Sequence, residues 1–164
     1  GSDLFPLLCD MAAQKGYRMF FLGAAEGVAA KAAENLTTRF EGLQIVGTYS
    51  PPFGFEKNQK EMNKIKSMIK EAAPHILIVG LGCPKQEKFM YHHCAELGVP
   101  ISFGLGASFD FEAGNIKRAP RWMANHGLEW LFRITQDPKR MAKRYLVDDR
   151  KILGLAIKYR KIGG

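Results

Sequence analysis

The sequence predicts an α/β fold: a Rossmann-like parallel sheet with helices on both faces, followed by a helical, basic C-terminal appendage. Over residues 3–106, strand-like segments alternate with helix-like ones, which is typical of a parallel sheet built from βαβ units. The strand-like segments are mostly continuous apolar runs, as expected of strands covered on both faces. Beyond position 120 only helical patterns follow. We therefore expect two domains, at 1–120 and 121–164.

The first half of the sheet is predicted from four segments. Residues 3–15 place apolar side chains at helical spacing and end at Gly16, so they predict a helix. The apolar run 17–23 stops at a glycine and predicts a buried strand. Residues 25–40 are rich in alanine and favour a helix by propensity. Residues 43–49 then predict the second strand.

The second half is predicted from the segments that follow. The sequence SPPFGF at 50–55 predicts a rigid loop because of its two prolines. Residues 58–73 predict an amphipathic helix, with Met62, Ile65, Met68 and Ile69 on its apolar face. The third strand is predicted at 75–82, a helix at 85–97 and the fourth strand at 99–106.

Charge is distributed unevenly along the chain. The net charge is +8, but residues 117–164 alone carry 13 Lys or Arg and 4 Asp or Glu, which leaves the remaining 116 residues at −1. A near-neutral body therefore continues into a strongly basic segment. We expect an anionic partner for that segment, such as phosphate groups, an acidic membrane face or nucleic acid.

Composition excludes several classes of protein. The 46% hydrophobic and 24% charged content is that of an ordinary globular domain, and no apolar run approaches the roughly 20 residues that span a bilayer. The three cysteines are odd in number and lack metal-site spacing, which favours a reducing, cytosolic compartment. We predict neither a metal site nor a bound cofactor.

The carboxyl ends of the strands are the predicted ligand-binding edge, because open parallel sheets bind ligands there. The end of the third strand is the best phosphate candidate. Backbone N–H groups at the following helix start favour an anion, Lys85 adds positive charge, and Gln86 offers an amide to a base or sugar. A plain strand–helix turn is the alternative. The candidate substrate-binding residues along this edge are Gly23, Gly80, Gly82, Pro84, Lys85, Gln86, Gly104, Gly106 and Asp110.

Two common cofactor motifs do not fit these glycines. A dinucleotide fingerprint needs a third small residue, whereas GLGCPK has Lys85 and GLGASF has Phe109 at that position. An acidic residue expected at the end of the second strand is replaced by Thr48 and Tyr49. The sequence also lacks a GxxxxGK[ST] phosphate loop.

Several titratable residues have only weak functional signals. Asp110 and Glu112 follow the fourth strand and could supply acid–base chemistry, cap a turn, or pair with Lys117 and Arg118. His92 and His93 are adjacent on a predicted helix, so they point about 100° apart and do not share one ion. We interpret them as ordinary helix residues, and His75 as structural.

The appendage offers a row of arginines. Arg133, Arg140 and Arg144 would share a face of one continuous helix, although Pro138 favours a break. Such a row suits a pyrophosphate, because guanidinium groups bind phosphate oxygens in a bidentate fork; a solvated basic face is the alternative. Trp122, Trp130 and Phe132 nearby suit a membrane interface or a core.

Four blocks of the sequence resemble the WecG/TagA/CpsF family of bacterial glycosyltransferases. They are FFLGA at 20–24, VGLGCPKQEKF at 79–89, FGLGASFDFEAGNIKRAP at 103–120, and GLEWLFRI followed by PKR within 127–140. Together with the segments between them, they extend the resemblance over nearly the whole chain.

The resemblance implies an activity and a location. Such enzymes transfer an N-acetylmannosamine-type sugar from a UDP donor to a polyprenyl-diphosphate-linked N-acetylglucosamine, with inversion and without an essential metal, during cell-surface polymer synthesis. They act peripherally on the cytoplasmic face of the membrane. By this likeness, Gln86 lies in the nucleotide-sugar pocket, and Arg133, Arg140 and either Lys143 or Arg144 contact the donor diphosphate and the membrane.

The resemblance also implies a missing part. Family members carry a further N-terminal portion that includes the aspartate proposed as general base, and this sequence resembles them only after that portion. We therefore expect a fragment or truncated homologue that binds nucleotide, is inactive alone, and self-associates through exposed core.

Two other functions stay open. One is a non-catalytic nucleotide-binding module whose basic tail docks on anionic lipid or a partner protein. The other is a nucleic-acid-binding protein, although no RNA- or DNA-binding motif accompanies the charge, so we expect no nucleic-acid partner.

Overall fold

The computed structural model describes residues 3–116 together with residues 123, 126, 132 and 135. The chain divides into two units, Gly1–Ile116 and Lys117–Gly164, and the description below concerns the first. Its helices are α1 (Leu4–Lys15), α2 (Val28–Arg39), α3 (Gln59–Ala72), α4 (Lys85–Leu97) and α5 (Gly106–Glu112). Its strands are β1 (Arg18–Gly23), β2 (Gln44–Tyr49), β3 (Ile76–Gly80) and β4 (Ile101–Gly104), with a 3-10 turn at Phe55–Lys57.

The strands form one parallel sheet in the order β2-β1-β3-β4. Successive side chains of β1 alternate between two hydrophobic clusters, because side chains on a strand point to opposite faces in turn. Met19 and Phe21 pack with α1, α2 and α5, whereas Phe20 and Leu22 pack with α3 and α4. The predicted α/β fold with helices on both faces is therefore confirmed; the predicted basic appendage lies outside the described residues.

An aromatic cluster fills the centre of one face. The rings of Phe5, Phe21 and Phe109 are fully buried and meet edge to face at centroid distances of 5.2–5.3 Å. Each such ring contributes about 1.5–3 kcal/mol by leaving water. This cluster attaches α1 and α5 to the central strand.

Strand β2 forms one edge of the described sheet and contains a bulge. Met19 pairs with Ile45 and Phe20 with Gly47, so Val46 is an extra residue in β2. Bulges twist an edge strand and reduce its tendency to pair with other chains. Gly47 is required by packing, since a Cβ there would lie 2.4 Å from the Phe20 ring.

The sequence prediction was wrong at the end of the fourth strand. It placed a strand at 99–106, but β4 ends at Gly104 and α5 begins at Gly106. Asp110 and Glu112, predicted to follow the strand directly, lie on this helix. Phe109 is the fully buried apolar side chain of α5, and a seven-residue helix with one such side chain has too little hydrophobic periodicity to be predicted.

Candidate functional site

The loops after β1, β2 and β3 meet at the carboxyl edge of the sheet. The backbone N of Ala24 donates to the carbonyl of Gly80 at 2.8 Å, which joins the ends of β1 and β3. The Ser50 hydroxyl, just after β2, donates to the Gly23 carbonyl at 3.0 Å. Since chain order reverses between β1 and β3, this edge is the switch point where doubly wound sheets bind ligands.

Neighbouring parts of the chain closely approach the glycines of this edge. A Cβ on Gly80 would lie 2.6 Å from the Phe109 ring, and one on Gly23 would lie 2.4 Å from the Gly80 carbonyl oxygen. Gly23 also has a φ of +112°, a backbone conformation that side chains rarely adopt. Contacts within the protein therefore exclude a side chain at both positions, which could not be predicted from the sequence.

Gln86 lies in a cradle made by two further glycines. A Cβ on Gly104 would lie 2.7 Å from Gln86 Nε2, and one on Gly106 would lie 3.1 Å from Gln86 Oε1. Gln86 Nε2 donates to Glu87 Oε1 at 2.9 Å, whereas the buried Oε1 finds no hydrogen-bond donor among the described residues. A buried acceptor without a partner costs about 1–3 kcal/mol, so this atom is suited to a ligand N–H or O–H.

Lys85, the predicted phosphate-binding cation, is engaged within the protein. Its Nζ lies 2.6 Å from Glu56 Oε1 and 4.8 Å from the centroid of the Phe53 ring. The hydrogen bond from Lys85 lowers the pKa of Glu56. An anion bound at the start of α4 would therefore compete with Glu56 for Lys85. Sequence reasoning missed Glu56 and Phe53 as neighbours of this site, since nothing local shows that the loop at 50–55 reaches α4.

The remaining site candidates of the loop between β3 and α4 lie at its surface. Gly82 has a φ of +78° with open space around it, and Pro84 is the residue immediately before α4. Cys83 between them is an exposed free thiol. The structure therefore places Gly82, Pro84, Lys85 and Gln86 within a single turn at the start of α4.

The carboxylates of α5 have different surroundings. Glu112 has a side chain only 8% exposed and lies 3.6 Å from Arg39 Nη1, and its backbone carbonyl accepts from Asn35 Nδ2 at 2.8 Å. Glu112 therefore links α5 to α2. Asp110 is half-buried in the middle of α5. Lys117 and Arg118 lie outside the described residues.

The histidines have structural surroundings. His75 Nδ1 accepts from the backbone N of Arg18 at 3.0 Å, where β1 and β3 begin. His93 packs edge to face on Phe89 at 5.2 Å and lies 3.9 Å from Glu96. Burial lowers the pKa of His93.

An open groove lies elsewhere, along the outer side of β2. It has a volume of about 510 Å³ between β2 and α2, and its lining includes Thr37, Thr38, Val46 and Thr48 but no residue of the turn around Gln86. Its position between β2 and α2 makes this groove an alternative binding site. We favour the carboxyl edge, because three features occur there together. They are the switch point, the side chain of Lys85, and Gln86 Oε1, which has no hydrogen-bond donor within the described part of the chain.

Comparison with known proteins agrees with the motifs at this edge. Residues 1–163 match the glycosyl transferase WecG/TagA/CpsF family. The chain belongs to this family.

Two curated proteins are similar to this chain over most of its length. Both are named N-acetylglucosaminyldiphosphoundecaprenol N-acetyl-beta-D-mannosaminyltransferase, one from Bacillus spizizenii (strain ATCC 23059 / NRRL B-14472 / W23) and one from Bacillus subtilis (strain 168). They are 39% and 34% identical to this chain over 140 residues, which are 85% of the chain and 52% of each relative. The chain thus spans about half the length of the curated relatives it matches.

The appendage residues predicted to act in this family lie outside the described residues. They are Arg133, Arg140, Lys143 and Arg144. No described helix is both long and apolar enough to cross a membrane.

Proposed function

We propose that this chain is the donor-binding part of a glycosyltransferase that transfers an N-acetylmannosamine-type sugar from UDP to a polyprenyl-diphosphate-linked N-acetylglucosamine. The observation that carries this proposal is the family match over residues 1–163, supported by the names of the two relatives. The carboxyl edge of the sheet, with Gln86 in its glycine cradle, is the proposed donor site.

The proposed chemistry is stabilisation of the departing UDP. Negative charge develops on the diphosphate as the bond to the sugar breaks, and preorganised donors aimed at that charge lower the barrier. Backbone N–H groups at the start of α4, Lys85 released from Glu56, and Arg133, Arg140 and Arg144 are the proposed donors. Gln86 Oε1 is suited to accept from an N–H of the uracil or of the acetamido group.

The mode of transfer follows from the same family resemblance. We propose transfer with inversion and without an essential metal, at the cytoplasmic membrane face, where the lipid-linked acceptor would be reached. A self-associated form of the chain is also part of this proposal.

Titration with UDP, followed by calorimetry, tests the donor site. We expect saturable binding that weakens about tenfold in Gln86→Ala, because one or two hydrogen bonds of about 1 kcal/mol each are lost. Arg140→Ala should also weaken it. The matched control is Gln59→Ala, since Gln59 is an exposed glutamine of α3. An equal loss in Gln59→Ala, or no UDP binding, would contradict the proposal.

Cysteine alkylation gives a second measurement of the same binding. Cys83 is exposed three residues before Gln86, whereas Cys9 is fully buried, and burial raises the pKa of its thiol to about 12. We expect UDP to slow the alkylation of Cys83. Cys9 should stay unreacted both with and without UDP, because it is buried. Binding to anionic vesicles with no response to UDP would favour the non-catalytic module instead.

A further inference from the structure

Phe53 is the most exposed large hydrophobic residue in the part of the chain that the structure describes. Its side chain is 100% exposed, whereas Phe55, two residues later in the same loop, is 6% exposed. Phe55 joins the cluster with Met62 and Leu22 and thereby anchors the loop. The loop thus buries one aromatic ring in the protein and presents the other to its surroundings.

The loop is held in this shape by its own backbone. Pro51 and Pro52 fix φ on one side of Phe53, and the backbone N of Phe55 donates to the Pro52 carbonyl at 3.2 Å. The Asn58 side chain accepts from the N–H groups of Lys60 and Glu61, which ends the loop at the start of α3. These contacts hold the two ends of the loop on either side of the exposed Phe53 ring.

One lysine contacts the exposed ring, and three more follow it closely in the sequence. Lys85 Nζ lies 4.8 Å from its centroid, and Lys57, Lys60 and Lys64 follow along the start of α3. These four lysines compare with two glutamates, Glu56 and Glu61, in the same region. Glu56 is paired with Lys85, and Lys64 donates to the Tyr49 hydroxyl, which donates to Glu61. Lys57 and Lys60 form no ion pair with the described residues, so their charge remains for an external partner.

We propose that the loop Ser50–Phe55 is a membrane-contact element, in which Phe53 enters the interface of an anionic bilayer. An exposed aromatic ring beside lysines is the combination that binds the boundary between headgroups and acyl chains. A nucleotide base is the less suitable partner, because a stacking ring normally lines a concave site and is partly covered, whereas this one is fully exposed.

The biological role of this membrane contact rests on the proposed function. The loop belongs to the carboxyl edge, since Lys85 beside Phe53 immediately precedes Gln86. A membrane contact there would turn the donor site toward the bilayer, where a lipid-linked acceptor would be held. The proposed contact lies within the unit Gly1–Ile116.

Vesicle binding tests the proposal with the full 164-residue chain. On vesicles of equal parts phosphatidylglycerol and phosphatidylcholine, Phe53→Ser should lower the partition coefficient about tenfold, equivalent to about 1.4 kcal/mol. The matched control is Tyr91→Ser, since Tyr91 is an 85% exposed aromatic residue of α4 and should leave partitioning unchanged. Equal effects of the two substitutions would overturn the proposal.

A fluorescence measurement locates the ring. Brominated acyl chains should quench the emission of Phe53→Trp beyond that of the wild-type tryptophans, and Tyr91→Trp should add no quenching. Absence of added quenching in Phe53→Trp would overturn the proposal even if another part of the chain binds the vesicle.

UDP titration of Phe53→Ser separates this inference from the proposed function. Unchanged UDP affinity with reduced vesicle binding supports it. Weaker UDP binding with unchanged vesicle binding assigns the ring to the nucleotide and overturns it. Wild-type chain that fails to bind UDP but inserts Phe53 would contradict the proposed function alone.

Discussion

At the scale of single residues, the glycines of the carboxyl edge were recognised from the sequence, but the physical reason for each glycine became clear only from the structure. The sequence predicted that Gly80, Gly104 and Gly106 belong to the substrate-binding edge. In the structure the space beside Gly80 is taken by Phe109, and the space beside the other two by Gln86. These contacts join residues 18 to 29 positions apart in the sequence. Such contacts depend on the tertiary fold and leave no local pattern, so the glycines were predictable from the sequence but the reason for their small size was not.

Substitution of Gly80 tests this packing. Gly80→Ala should lower the free energy of unfolding by about 1–3 kcal/mol, because the added methyl group overpacks against the Phe109 ring. Urea unfolding measures it. In the double variant Gly80→Ala/Phe109→Leu, the smaller leucine leaves room for the added methyl group. The double variant should therefore lose less free energy of unfolding than the two single variants together, by more than about 0.5 kcal/mol. Strictly additive losses would contradict the contact.

At the scale of elements, α3 and α4 are joined by a cluster of charges. Lys66 Nζ lies 2.7 Å from Glu96 Oε2, Lys70 Nζ lies 3.7 Å from Glu96 Oε1, and His93 adjoins the same carboxylate. The hydrogen bond from Lys66 lowers the pKa of Glu96, and burial followed by the positive charge of Lys66 lowers that of His93. Both helices were predicted from the periodicity of their apolar residues. The charge cluster could not be predicted, because the sequence does not show which face of α3 packs against α4.

The His93 environment predicts a pH dependence of stability. Below its unfolded pKa of about 6.5, His93 binds a proton more readily in the unfolded chain than in the folded one. The free energy of unfolding should therefore fall as pH falls from about 6.5 through the lower folded pKa. Urea unfolding between about pH 7.5 and 5.5 should show a shallower fall in His93→Gln than in wild type.

A histidine on the same helix provides the control. His92 is exposed and adjacent to His93, so His92→Gln should change the pH dependence less than His93→Gln does. A larger effect of His92→Gln would show that the charge cluster of α3 and α4 does not govern this pH range.

At the scale of the whole molecule, fold and site were predictable to different degrees. Alternating apolar runs and helical patterns are sufficient for a parallel sheet, and all four predicted strands exist. The strand order, the contact of Gly23 with Gly80 and that of Gln86 with Gly104 needed the structure, because parallel strands pair through long crossovers. The contact of the loop at 50–55 with Lys85 likewise depends on how β2 and α4 are placed around the sheet.

The family resemblance gives a prediction for the activity of the polypeptide of these 164 residues. It should bind UDP but form no product from a UDP-N-acetylmannosamine donor and a lipid-linked acceptor, since the family resemblance assigns the proposed general base to a portion outside this sequence. Radiolabelled sugar transfer to the lipid fraction measures it. Robust product formation would show that the chemistry needs only the residues present here.

The pairing of β1 with β3 has a further consequence during synthesis. Their paired residues, Met19 with Ile76 through Gly23 with Gly80, are 57 positions apart. A ribosome needs roughly 3–11 s to add that many residues at roughly 5–20 residues per second. During this interval one side of β1 has no partner strand, although five of its six residues are buried in the finished fold. We therefore expect the nascent chain to be most prone to aggregation, and most in need of chaperones, before Gly80 has left the ribosome.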